Sequence, residues 1–193
     1  MKNSLLKLIA VGSIALVTGC SSSQPAQQTS AQQVKFSDIP QWMNENPTSN
    51  DFFYASATDV SLDLQVATDK AAANARTEIA RMVETHVKNQ QKKFTEEVSN
   101  AQDAKLGQLF TQASTLIASQ TLVGSSIDKK YITREGNNFR AYVLVKYPIG
   151  KVNAELLNKL KAQEYANTRV RASKAFEELE QDVAKYEAAK KQQ

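Results

Sequence analysis

The run Phe139-Arg140-Ala141-Tyr142-Val143-Leu144-Val145-Lys146-Tyr147 is apolar on both of its faces. At strand spacing, Phe139, Ala141, Val143, Val145 and Tyr147 share one side, and Tyr142 and Leu144 sit on the other. Such a strand is an inner strand, flanked on both edges. It predicts a sheet at the centre of the fold. Residues 125–134 precede it across Glu135-Gly136-Asn137, which predicts a hairpin turn, and Pro148 and Gly150 end it. Upstream, Phe52-Phe53-Tyr54-Ala55-Ser56-Ala57-Thr58 is rich in aromatics and bounded by polar turn residues, so it reads as a further strand.

Helical periodicity fills the space between these strands. From Asp63 to about His86, Leu64, Ala67, Ala71, Ala75, Ile79, Met82 and Val83 recur at three- and four-residue spacing, an amphipathic helix. Its alanines allow close approach to a sheet, and Asp59 or Ser61 is the expected cap. Residues 103–121 form a second helix, with Leu106, Leu109, Phe110, Ala113, Leu116 and Ile117 on one stripe. Residues 87–98 alternate without a strongly apolar face. They read as a long exposed strand or as an extension of the first helix, and the strand is favoured.

Beyond Pro148 and Gly150, residues 151–191 hold no Gly or Pro and read as one helix, roughly 60 Å long. Val152, Leu156, Leu157 and Leu160 give its first half an apolar face. Tyr165, Ala172, Phe176, Leu179, Val183 and Tyr186 continue at a spacing like a coiled-coil seam, although Arg169 falls on the same stripe. One small sheet cannot cover such a helix. Its distal part contacts another subunit or partner, folds back on the domain, or stays solvated. The expected fold class is therefore α/β in the α+β sense: a small mixed or antiparallel sheet packed on two helices, followed by a long C-terminal amphipathic helix.

The single cysteine of this 193-residue chain, Cys20, closes Leu16-Val17-Thr18-Gly19-Cys20. Lys2 and Lys7 begin the chain, and residues 8–17 are apolar except at Gly12 and Ser13. That is a secretory signal, too short for a membrane-spanning helix of roughly 20 residues. The Leu-x-x-Gly-Cys ending resembles the lipobox of bacterial lipoproteins; an ordinary signal with a chance cysteine is the other reading. The lipobox implies cleavage after residue 19 and acylation of Cys20, a stable anchor once two or more chains are attached. Ser21 after the cysteine fits onward transport to the outer membrane, periplasmic face. No second cysteine remains for a disulfide, so stability has to come from a packed core.

The expected organisation is a signal over residues 1–19, an acylated tether over 20–38, a compact domain over 39–149 and the long helix over 150–193. The tether SSSQPAQQTSAQQ has no large apolar residue to offset its ordering entropy. Losing Lys2 and Lys7 lowers the formal charge from +4 to +2. With signs interspersed and no basic stripe carrying aromatics, no nucleic-acid partner is expected. Trp42, the only tryptophan, reads as packing over the domain edge, with ligand stacking or partner docking as the other role.

Catalytic chemistry finds no foothold. His86 is the only histidine, and without Cys, Asp or Glu clustered at ligand spacing it reads as structural. No zinc-protease, nucleophile-elbow or phosphate-loop motif occurs. Glu177, Glu178, Glu180 and Asp182 read as the solvated face of the last helix. The chain is expected to be no enzyme and to need no metal or cofactor.

The lipobox at Cys20, the Pro40-x-Trp42 start, the strand at 52–58 and the alanine-rich helix after Tyr54-Ala55-Ser56-Ala57 together resemble the bacterial Lpp-twenty lipoprotein family over roughly residues 40–147. That family includes the flagellar outer-membrane protein P. The resemblance implies a compact α/β domain without known chemistry, and in some members assembly into rings or discs around the flagellar rod. The long last helix exceeds the short flagellar members. The expected function is a structural or assembly lipoprotein of the envelope, a homo-oligomer or bound to an envelope partner, with Phe176, Leu179, Val183 and Tyr186 as candidate interaction residues beside Trp42. A ligand- or peptidoglycan-binding module is the alternative.

Overall fold

The computed structural model describes residues 39–98 and 104–192; Cys20 and the whole of the expected signal and tether lie outside them. Along the chain come α1 (Gln41–Asn44), β1 (Phe52–Ser61), α2 (Leu64–Val98), α3 (Ala104–Gly124), β2 (Ser126–Glu135), β3 (Asn138–Pro148), α4 (Ile149–Ala162), α5 (Glu164–Val170) and α6 (Lys174–Lys190). The sheet order is β1-β3-β2, antiparallel throughout. The strand that is apolar on both faces is indeed the inner one: β3 pairs with β1 along one edge and with β2 along the other. The hairpin turn is Gly136-Asn137, with Gly136 at φ 59°, a left-handed conformation that glycine adopts without steric cost.

One face of the sheet carries the core. Ala55, Ala141, Val143, Val145 and Tyr147 are buried there with Ala67, Ala71, Ala72 and Ala75 of α2. Alanine at these helical positions lets α2 lie close to β1 and β3. The cap is Asp63 rather than Asp59 or Ser61: its Oδ1 accepts the Val66 N–H at 2.9 Å. Asp59 is engaged elsewhere, accepting from Asn74 Nδ2 at 3.1 Å.

Residues 87–98 are helical, which corrects the strand reading. The buried stripe Ala67, Ala71, Ala75, Ile79, Val83 and Val87 continues at Phe94, and Val87 and Phe94 are fully buried. The 35 residues of α2 reach about 52 Å, farther than a ten-residue strand at about 33 Å. Its distal end therefore leaves the sheet and packs on helices, where Phe94 meets Phe110 of α3 with ring centroids 5.4 Å apart. The alternation that suggested a strand is only the polar surface of this helix.

The expected single C-terminal helix is three helices. Gln163 is extended between α4 and α5. Ser173 caps α6, its Oγ accepting the Phe176 N–H at 3.2 Å. This serine was the legible break signal, a good N-cap followed by Glu177 in the first turn. The turns fold the chain back, so α6 runs antiparallel along α4. Phe176 and Leu179 join the same core as the sheet. The seam-like spacing is thus filled by this chain's own α4. A hydrophobic stripe reports only that a face is covered, not by which molecule.

Candidate functional site

Polar contacts join the C-terminal helices to both ends of the distal half of α2. His86 Nε2 lies 2.7 Å from the Oδ1 of Asn153, which is buried on α4, and the His86 ring stands edge-on to Phe53 at 5.6 Å. A buried amide needs such a partner, because leaving it unpaired costs about 1–3 kcal/mol. The lone histidine is thus a bridge between α2, β1 and α4. At the far end of α2, Glu97 Oε2 accepts the Ala175 N–H at 2.9 Å, placing a carboxylate at the N-terminus of α6, where the helix dipole favours it.

The acidic residues of α6 are spent mostly on ion pairs. Glu180 meets Lys161 of α4 at 2.6 Å. Glu178 lies 3.8 Å from Lys93 of α2, and Asp182 lies 3.8 Å from Lys185. The first two tether α6 to its neighbours. Of the four candidate interaction residues on this helix, Phe176 and Leu179 are buried, Val183 packs against the core, and Tyr186 is half-buried against Gly150. The structure brings them together as one internal face. Trp42 is half-buried on α1, which leans on β1 and β3, far along the chain from that face.

A cleft of about 420 Å³ opens where β1 begins and where α4 and α6 meet. Its walls include Asp51, Phe52, Asn153, Asp182, Lys185 and Tyr186. The volume falls within the range of small-ligand pockets, and both signs of charge are present. No sequence motif marks it, since its residues come from three segments joined only by folding. Among the described residues there is no group of three His, Cys, Asp or Glu placed to hold a metal ion, and no helix is long and apolar enough to cross a membrane.

The other face of the sheet carries two short charge pairs. Arg140 donates to both carboxylate oxygens of Glu135, the Nη2 bond measuring 3.0 Å. Lys146 Nζ lies 2.7 Å from Asp128 Oδ1. Each acidic partner raises the pKa of its base. Tyr142, buried between these pairs, has its phenol pKa raised by burial. The ring of Tyr131 lies 6.1 Å from it and is largely exposed. The sheet edges differ. β2 carries exposed Lys129 and Lys130 and a bulge between Ile127 and Lys129. β1 pairs with β3 over ten successive residues without a shift.

Comparison with known families bears on this architecture. Residues 40–147 match the family model described as LPP20 lipoprotein. That span runs from α1 to β3 and stops short of the helices that complete the core. No curated protein matches the chain.

Proposed function

From the premise that this chain belongs to the LPP20 lipoprotein family, and is therefore a lipoprotein of the cell envelope, we propose that it has a structural, non-catalytic role in envelope assembly. Acylated Cys20 holds it on the periplasmic face of the outer membrane, and the folded domain associates with further copies or with an envelope partner. A flagellum-associated ring or disc is the form this assembly takes. The family match carries the reading.

Two features of the fold support it. The lone histidine is engaged by Asn153 and Phe53, which suits a framework role better than a catalytic one. Two strands of the small sheet lie at its edges, and an edge strand presents backbone groups that pair readily with another chain. Confinement to one membrane surface raises local concentration, so weak contacts suffice for assembly. Labelled palmitate should enter the wild-type protein and not Cys20→Ser. Detergent-solubilised acylated protein should sediment as an oligomer; a strictly monomeric particle at high concentration would overturn the reading.

The cleft at α4 and α6 favours a second reading, a ligand- or peptidoglycan-binding module. Retention of the protein on cell-wall sacculi, lost on Tyr186→Ala in a chain that still melts cooperatively, would select it.

A further inference from the structure

The two edges of the sheet are guarded differently. Lysines and bulges are the devices that keep an edge strand from pairing, and β2 has both, at Lys129, Lys130 and the bulge after Ile127. β1, reading FFYASATDVS, has no Lys, Arg or Pro and no bulge. Its one charge is turned toward its own chain: Asp59 Oδ1 accepts the Val60 N–H at 2.8 Å and Oδ2 accepts from Asn74. Among the described residues, β1 pairs with β3 alone.

We propose that the outer edge of β1, which no described residue pairs with, pairs antiparallel with β1 of a second copy, joining two three-stranded sheets into one six-stranded sheet across a two-fold axis. This inference rests on the assembly reading above and names the contact.

The strand is complementary to itself. In one continuous sheet, facing residues point to the same side, so a two-fold pair of β1 strands places one residue opposite its own copy. With Ser56 on the axis, Tyr54 faces Thr58 and Phe52 faces Val60 on one side. Ala55 then faces Ala57, and Phe53 faces Asp59, on the side of α2. With Ala57 on the axis, Tyr54 faces Val60 and Asp59 faces Ala55. Aromatic residues opposite β-branched ones are favourable cross-strand pairs. In neither register does Asp59 meet its own copy, so the one charge raises no like-charge repulsion.

The test places single cysteines at positions 54–60, one at a time, in the full acylated chain and oxidises each mildly. Residues facing each other across antiparallel strands have Cα atoms about 4.5–5.5 Å apart, within disulfide reach. Cross-linked dimer should peak at Ser56→Cys or Ala57→Cys and fall off in both directions. Lys130→Cys on β2 should give only the background of the chain without an added cysteine. Ser56→Lys, which charges the β1 edge, should weaken self-association at least tenfold by sedimentation while circular dichroism stays unchanged. Assembly without a β1 cross-link, or with an equal β2 cross-link, overturns the edge pairing and leaves the assembly reading standing. A monomeric wild-type chain overturns both.

Discussion

Gly150 and Tyr186 touch: a Cβ built on Gly150 would lie 2.4 Å from both Cβ and Cγ of Tyr186. Glycine at the start of α4 is what admits the end of α6 so closely. The contact closes the C-terminal segment onto the domain. It also forms one wall of the cleft.

Gly150→Ala is therefore expected to push α6 off α4 and to destabilise the fold by about 1–3 kcal/mol, the usual cost of overpacking. Urea denaturation would show a lower midpoint. Tyr186→Ala retains the Cβ atom and should not rescue it, whereas Tyr186→Gly should recover part of the loss.

Removal of everything after Tyr147 should abolish cooperative folding, although the remaining chain still contains the family-matched region. Val152, Leu156, Leu160, Phe176 and Leu179 are at most 3% exposed. Each contributes roughly 1.5–3 kcal/mol on burial, against a whole-domain stability of about 5–15 kcal/mol. Thermal unfolding followed by circular dichroism would show no sharp transition. A cooperative melt would mean that these helices are appended rather than integral.

Phe94→Ala should cost about 3–5 kcal/mol, as for a fully buried aromatic residue. The substitution also tests the helical state of residues 87–98, because on an exposed strand it would be nearly neutral. Chemical denaturation measures the difference.

Stability should fall in alkali. Tyr142 has its pKa raised above 10.0 by burial, and Lys146 has its own raised above 10.5 by its bond to Asp128. Below these ordinary values both states keep their protons, and the stabilisation is complete. As pH climbs past them, the unfolded chain releases protons first, and the native state loses ground until its own groups titrate. Tyr142→Phe should remove the tyrosine share of that slope. Denaturation midpoints across the alkaline range would show it.

Asn153→Ala and His86→Ala should each destabilise by about 1–3 kcal/mol. The double variant should cost less than the sum, since each single change strands the other partner. A double-mutant cycle gives the coupling.

The sheet was legible in the sequence because its signals are local. Alternation in residues 139–147, a Gly-Asn turn and an aromatic run at 52–58 each require only a few neighbouring residues. The alanine stripe of α2 was legible for the same reason, and its continuation through Val87 to Phe94 was present in the spacing. There the weak alternation of polar residues masked a stripe whose partner, Phe110, lies across a helix pair. Ser173 was likewise a readable break, outweighed by the absence of Gly and Pro.

What the sequence by itself determined is which faces are apolar, where the hairpin turns and that its one cysteine, Cys20, follows a short apolar run. Tertiary structure decided which molecule covers each face. Phe176 and Leu179 read equally well as a seam for another chain, and they are buried in their own because Gly150 lets Tyr186 come close and Glu97 holds the start of α6. Hydrophobic burial is non-directional, so a stripe specifies that it is covered, while close approach and hydrogen bonding specify by what.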